Sequence, residues 1–256
     1  MQVVLFAGGL GSRITEESSL RPKPMIEIGG RPILWHIMKI YSHYGFCDFI
    51  VCLGYKGYMI KEYFLNFYLH HSDVTIDTAA NKITYHQTAS EPWRVTLVDT
   101  GDETMTGGRL LRVRPFLSED TFGLSYGDGL TDLDVGACVA FHRAHGKLAT
   151  LTAVIPPARY GAVDLEDDRV LRFVEKPPGD RGYINGGFFV LNRAVLDRIE
   201  GDTTSWEAGP LESLARDNEL CAYRHRGFWH AMDTLRDRNH LDELWRTGQA
   251  AWKVWK

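Results

Sequence analysis

Continuous apolar runs alternate along the chain with segments of helical periodicity. Residues 3–7 are apolar throughout and end in glycines, which is typical of a strand buried on both faces of a parallel sheet. Pro32 opens a helical pattern that ends at Gly45, and residues 49–53 predict the next buried strand. A second helix is predicted from residue 56 to about 67. The strand–helix order implies right-handed parallel crossovers.

The pattern changes after residue 70 and later resumes. Two alternating runs, 74–76 and 83–85, flank Ala80-Asn81 and predict a β-hairpin. The remaining predicted elements are strands at 94–98, 121–126, 150–155, 162–165, 170–174, 183–191 and 220–225, and helices at 107–114, 135–145, 210–217 and 234–246. We therefore predict a single α/β domain over residues 1–256. It has a β-rich excursion at about 70–100 and a C-terminal aromatic tail.

Composition narrows the classes of partner. The chain has 256 residues, 44% of them hydrophobic, which suffices for one substantial core. Its net charge of −4 and the lack of a long basic run argue against nucleic acid as the main partner. Four cysteines fit no common zinc spacing, no apolar run is long enough to span a membrane, and no signal peptide is apparent. We expect a cytoplasmic protein with reduced thiols and no membrane partner.

A glycine-rich loop follows the first predicted strand. Its sequence, AGGLGSR over residues 7–13, lets backbone N–H groups approach phosphate oxygens, but it is neither a Walker nor a G-x-G-x-x-G pattern. Arg13 supplies a cationic fork, and Lys23 lies on a stiff backbone between Pro22 and Pro24. A glycine turn with two solvated cations is the alternative. The Pro-Lys-Pro segment in so long a loop favours a phosphate site.

Several stretches resemble sugar-phosphate nucleotidyltransferases. The resemblance begins with LFAGGLGSR and RPKPMIEIGGRPILWHIM, and continues through DTGDETMTGGRL, SYGDGLTDLD, FVEKP, INGGFFV and GFWHAMDTLRD. Ser12 stands where that family usually has threonine, which keeps the hydroxyl. The resemblance covers nearly the whole chain and implies a Rossmann-like, mixed and mostly parallel sheet flanked by helices. It is strongest to the members that transfer CMP from CTP to glucose 1-phosphate, which supply polysaccharide or deoxysugar biosynthesis and form oligomers.

The same resemblance implies a role for each matched residue. Lys23 and Arg13 are the implied catalytic cations, Lys23 near the α-phosphate and Arg13 nearer the leaving pyrophosphate. The implied nucleotide-binding residues are Ala7, Gly8, Gly9, Gly11, Ser12, Arg13, Thr104, Arg109 and Asp128, and the implied sugar-phosphate-binding residues are Glu175, Lys176, Asn185 and Gly186. By themselves, Glu175-Lys176 could be a solvated strand end and Asn185-Gly186-Gly187 a simple turn.

Asp128 and Asp233 are the expected ligands of Mg²⁺. The resemblance assigns them this role, and a few protein carboxylates together with phosphate oxygens are what magnesium normally accepts. Considered alone, Asp128 could be a turn-forming aspartate, and Asp233 could be the N-cap of a helix that begins at Thr234. Occurring together in a nucleotidyltransferase frame, they favour the metal role.

Arg109 is our hypothesis for recognition of cytosine. An arginine directed at O2 and N3 suits cytosine, whereas uracil places a donor at N3, and a buried donor–donor mismatch costs about 1–3 kcal/mol. An exposed arginine at a helix start is the alternative, and Thr104 is a second candidate for the base pocket.

Three other functions are compatible with parts of the pattern. A uridylyl- or thymidylyltransferase would use the same core. A non-catalytic regulator that binds sugar nucleotides would be expected to lack one of Lys23, Asp128, Lys176 and Asp233, but all four are present. A dinucleotide-dependent oxidoreductase would need a different glycine spacing.

Overall fold

The computed structural model describes residues 1–9, 20–88, 91–156, 162–166, 169–174 and 182–255. Its strands are β1 Val3–Ala7, β2 Glu27–Ile28, β3 Arg31–Pro32, β4 Asp48–Leu53, β5 Ser72–Asp77, β6 Lys82–Thr88, β7 Arg94–Asp99, β8 Thr121–Tyr126, β9 Gly129–Thr131, β10 Ala149–Val154, β11 Ala162–Glu166, β12 Arg169–Val174, β13 Ile184–Asn192, β14 Leu220–His225 and β15 Trp229–Ala231. Its α-helices are α1 Ile33–His43, α2 Gly57–Leu65, α3 Phe67–His71, α4 Thr106–Arg112, α5 Val135–His145, α6 Pro210–Arg216 and α7 Leu235–Arg246. Short 3₁₀ turns span Lys23–Met25, Arg114–Phe116 and Arg193–Arg198.

The central sheet contains seven of these strands, in the order β14-β10-β13-β8-β1-β4-β7. All its pairs are parallel except those of β13, which runs antiparallel to both β10 and β8. The sheet is therefore mixed and mostly parallel, as predicted. The carboxyl ends of β1, β4 and β8 lie side by side, and open α/β sheets bind ligands at this edge.

Both faces of the central sheet are covered. Val3 and Leu5 pack into one apolar cluster, with residues of α1, α5 and α7. Val4 and Phe6 pack into the other, with residues of α4 and α6. Successive side chains of a strand point to opposite faces, so burial on both sides explains why the first strand is apolar throughout.

Two elements differ in extent from the bounds that the sequence predicts. The helix expected over 56–67 is divided at Asn66 into α2 and α3. The β-rich excursion expected over about 70–100 is limited to the β5–β6 hairpin, because Arg94–Asp99 pairs in parallel with β4 and forms the edge of the main sheet. The hairpin turns at Asn81, whose φ of 49° lies in the left-handed region that asparagine tolerates.

The aromatic C-terminal tail packs on its own domain. Trp252 has 0% of its surface exposed, and its ring lies against those of Phe228 and Trp245. The Trp252 indole N–H donates to Nδ1 of His36 (3.3 Å), whose Nε2 donates to the Ile28 carbonyl (2.8 Å). Burial lowers the pKa of His36 to about 4, so this imidazole is neutral and can accept the indole hydrogen bond.

No helix in the described part of the chain is long and apolar enough to cross a membrane.

Candidate active site

A lysine and two aspartates from distant parts of the chain meet at the carboxyl edge of the sheet. The Lys23 ammonium lies 2.6 Å from Oδ2 of Asp128 and 3.0 Å from Oδ1 of Asp233. The short turn Lys23–Met25, with proline on either side of Lys23, holds the lysine backbone. Burial alone would lower the pKa of Lys23, but the two carboxylates outweigh it and raise that pKa, so the ammonium remains charged.

Pairing between β9 and β15 explains why the two aspartates converge. Asp128 immediately precedes β9, and Asp233 follows β15 by two residues. Gly129 pairs with Ala231, and the Met232 N–H donates to the Asp128 carbonyl (2.8 Å). Two segments about a hundred residues apart in sequence are thus fixed side by side, and the two carboxylates are close enough to share one cation.

The backbone at Asp233 is fixed by the start of α7. Thr234, not Asp233, is the N-cap, and it forms a capping box with Asp237. The Asp237 carboxylate also accepts the backbone N–H of Asp233 (3.1 Å). Because Thr234 is the N-cap, helix capping does not explain Asp233. The Asp233 carboxylate instead contacts the Lys23 ammonium.

Arg109 is buried, with 4% of its surface exposed, and it ties three loops together. One terminal nitrogen donates to the Leu53 carbonyl (3.1 Å) and the Thr100 hydroxyl (2.8 Å). The other donates to the carbonyls of Gly8 (3.0 Å) and Asp102 (3.1 Å). Burial lowers the pKa of this guanidinium. A contact of either terminal nitrogen with the base therefore requires the exchange of at least one of these hydrogen bonds.

Gly8 is needed at the end of β1 for a steric reason. A Cβ on this residue would overlap the guanidinium of Arg109 and crowd the backbone nitrogen of Gly54. Gly8 therefore makes room for the buried guanidinium of Arg109 beside the end of β1. Gly9 has open space around the corresponding position and lies at the surface.

An open cavity of about 540 Å³ connects these groups. The predicted site residues on its wall are Ala7, Gly8, Gly9, Lys23, Thr104, Arg109, Asp128 and Asp233. Gly11, Ser12, Arg13, Glu175 and Lys176 lie outside the described residues, and their assigned roles remain predictions. The wall also contains six polar residues that the sequence reasoning missed: Asp102, Glu103, Thr106, Tyr126, Ser205 and Glu207.

Asn185 and Gly186 lie beside this cavity. The Asn185 amide donates to the Tyr126 hydroxyl (3.3 Å) and accepts the backbone N–H of Gly187 (2.9 Å). The Gly186 carbonyl accepts the indole N–H of Trp229 (2.8 Å). Gly187 has a φ of 78°, and a Cβ there would collide with the Tyr126 ring. The Asn-Gly-Gly turn is thus packed directly against a residue of the cavity wall.

The donor set fits a magnesium ion that completes its shell with phosphate oxygens and water. Asp128 and Asp233 already share one cation, the Lys23 ammonium. No cluster of three or more histidine, cysteine or acidic side chains that could hold a metal occurs within the described segments. Magnesium is commonly bound by only one or two carboxylates plus substrate phosphates, so two aspartates suffice.

Comparisons with known proteins identify the family of this chain. Residues 2–230 match the family model described as nucleotidyl transferase. The chain therefore belongs to the nucleotidyl transferase family. It is 57% identical, over the full length of both chains, to a protein from Salmonella typhi named glucose-1-phosphate cytidylyltransferase.

Solved structures share the fold at low sequence identity. HddC from Yersinia pseudotuberculosis is 24% identical, with a TM-score of 0.68 over 95% of this chain and 99% of that one. A UDP-glucose pyrophosphorylase complexed with UDP-glucose is 13% identical, with a TM-score of 0.68 over 96% and 98%. Both support the α/β architecture.

Proposed function

We propose that this protein transfers CMP from CTP to glucose 1-phosphate, forming CDP-glucose and releasing pyrophosphate, with Mg²⁺ as cofactor. The observation that carries the chemistry is the convergence of Lys23, Asp128 and Asp233 in one cavity. The full-length identity of 57% to a glucose-1-phosphate cytidylyltransferase supports the choice of substrates. A cytoplasmic location and a place in polysaccharide or deoxysugar biosynthesis accord with those substrates.

The residues act by positioning and by neutralising charge. A phosphate oxygen of glucose 1-phosphate attacks the α-phosphorus of CTP in line, and pyrophosphate leaves on the opposite side. Both substrates are anionic, so a cation at the reacting phosphate is required. Asp128 and Asp233 would hold Mg²⁺, which neutralises phosphate charge when bound. Lys23, released from these carboxylates, would then pair with the α-phosphate.

A nucleotide panel tests the proposed activity. Pyrophosphate release is measured with Mg²⁺ and CTP, UTP, dTTP, ATP or GTP, with and without glucose 1-phosphate. We expect rapid release only when CTP and glucose 1-phosphate are both present. Faster release with UTP or dTTP would support the alternative uridylyl- or thymidylyltransferase. No release with any nucleotide would favour the binding regulator.

Replacement of Arg109 by alanine is expected to reduce the preference for CTP over UTP by about tenfold. The reason is that a buried fork of donors distinguishes an acceptor from a donor at N3 of the base. The measurement is kcat/KM for each nucleotide, with the thermal midpoint recorded because Arg109 also supports three loops. Arg109→Lys serves as the control that keeps the charge. An unchanged nucleotide preference in Arg109→Ala would remove the assignment.

We further infer that the protein forms a homo-oligomer through the surface around its hairpin. The large apolar side chains that are exposed on α2, α3, β5 and β6 are Tyr58, Leu65, Tyr68, Leu69, Ile76, Ile83 and Tyr85. The ring centroids of Tyr68 and Tyr85 lie 6.1 Å apart, so the apolar residues of α3 and of the hairpin strand β6 adjoin each other. An apolar patch of this kind on a globular protein indicates a contact site.

Charged substitutions on the hairpin test this assembly. The paired residues Ile76 and Ile83 lie opposite each other on β5 and β6. The double variant Ile76→Lys, Ile83→Lys is expected to shift the mass measured by light scattering toward that of one chain. The double variant Ala140→Lys, Ala144→Lys, at two exposed positions of α5, adds the same charge outside this surface and is the control. A wild-type mass equal to one chain would contradict the inference.

A further inference from the structure

Glu207 is a half-buried carboxylate in the wall of the candidate active-site cavity, and no role yet explains it. Its Oε1 accepts the hydroxyl of Tyr126 (2.6 Å). Its Oε2 accepts the hydroxyls of Thr106 (2.7 Å) and Ser205 (2.6 Å). Charge-assisted hydrogen bonds of this length are among the stronger ones in proteins. One side chain thus joins the end of β8, the start of α4 and the loop before α6.

A carboxylate dictates the direction of every hydroxyl bound to it. Burial alone would raise the pKa of Glu207, but the hydrogen bonds from Ser205, Thr106 and Tyr126 outweigh it and hold the pKa below its usual value. The ionised carboxylate can only accept hydrogen bonds, so each hydroxyl must donate its single proton to Glu207. Each hydroxyl oxygen can then only accept further hydrogen bonds, as Thr106 does from the Trp206 N–H (2.9 Å). A neutral amide at this position would not impose that direction.

The direction of the Tyr126 hydrogen bond also fixes the direction of the hydrogen bond between Tyr126 and Asn185. Because the Tyr126 proton points at Glu207, its oxygen must accept, and it does so from the Asn185 amide nitrogen (3.3 Å). The Asn185 amide oxygen in turn accepts the Gly187 N–H (2.9 Å). The reverse orientation of the amide would set the Asn185 donor against the Gly187 donor. The linked hydrogen bonds of Glu207, Tyr126 and Asn185 therefore allow only one orientation of the Asn185 amide.

We propose that Glu207 is a positioning residue for sugar recognition, which acts through Tyr126 to fix the amide of Asn185 toward the sugar hydroxyls. This inference rests on the proposed function for the identity of the sugar nucleotide. Glu207 itself makes no contact with the reacting phosphates in this scheme. Its effect should therefore fall on the sugar half of the ligand and spare the nucleotide half.

Binding of CDP-glucose and of CDP separates the two halves. Calorimetry with purified full-length protein gives both affinities, and their ratio measures what the sugar contributes. Glu207→Gln is expected to weaken CDP-glucose binding by about tenfold, the loss of one well-oriented hydrogen bond, while CDP binding changes less than about twofold. Tyr126→Phe should reproduce the effect on the ratio, because it removes the hydroxyl that links Glu207 to Asn185. The hydrogen bonds from Thr106 and Ser205 to Glu207 remain.

The double variant and a charge control complete the test. Combining Glu207→Gln with Tyr126→Phe should lower the ratio no further than either change alone, since both break the same series of hydrogen bonds. Glu103→Gln removes a negative charge from an exposed residue of the same cavity wall and should leave the ratio unchanged.

Three outcomes for the variants would overturn the proposal. These are equal losses for CDP and CDP-glucose, an unchanged ratio in Tyr126→Phe, and additive effects in the double variant. Circular dichroism and thermal midpoints identify variants that fail to fold. Because binding needs no turnover, the ratio is informative even if the wild-type protein releases no pyrophosphate from CTP. A wild-type protein that binds CDP-glucose no better than CDP would also overturn the proposal.

Discussion

Replacement of Lys23 by methionine is expected to lower kcat by about a thousandfold, because it removes the cation that we propose pairs with the α-phosphate. The same change should raise the affinity for Mn²⁺ in the absence of nucleotide by about tenfold, since the ammonium no longer competes for Asp128 and Asp233. Electron paramagnetic resonance of free Mn²⁺ measures the affinity directly, and pyrophosphate release measures kcat.

The two readouts of Lys23→Met distinguish competing explanations. A residue needed only for folding would lower activity without improving metal binding. Lys61→Met, at an exposed position on α2, is the matched control and should change neither quantity. If Lys23→Met lost activity while Mn²⁺ affinity stayed the same, Asp128 and Asp233 would not be the metal ligands.

Replacement of Trp252 by alanine is expected to lower the free energy of unfolding by about 4 kcal/mol. Trp252 is fully buried against Phe228 and Trp245, and its indole bonds to the neutral imidazole of His36. Removal of the ring leaves a cavity and an unpaired acceptor. Urea unfolding followed by circular dichroism gives the change, and the thermal midpoint should fall by about 10 °C.

Trp255→Ala provides the comparison for this prediction. Trp255 lies near Trp35 and His36 but is only half-buried, so its loss should cost about 1–2 kcal/mol. Equal effects of the two substitutions would contradict the view that Trp252 anchors the tail. Kinetic parameters of both variants at 25 °C should match those of the wild type, because neither tryptophan lines the active-site cavity.

Local pattern predicted the elements well where one physical signal was sufficient. The apolar run of β1 and the periodicity of α1 identified both elements to within one or two residues. The antiparallel direction of β13 could not be read from its sequence, because its burial pattern resembles that of a parallel strand. Strand direction depends on the connection between elements, and spacing along the chain leaves that open.

The site was predicted unevenly for a related reason. Lys23, Asp128 and Asp233 lie in recognisable motifs, and the structure brings them together. Glu207 lies in a segment with no chemical signature, and its importance depends on which hydroxyls the fold directs toward it. Arg109 was expected as a ligand contact, but sequence alone could not reveal that its donors meet four protein oxygens.

The pairing of β9 with β15 bears on how the pocket assembles during folding. Asp128 and Asp233 lie more than a hundred residues apart in sequence, and only the pairing of the strands beside them brings their carboxylates together. Long-range contacts of this kind carry a large loop-closure entropy, so we expect the carboxylate pair to form late in folding, after the intervening chain has become ordered.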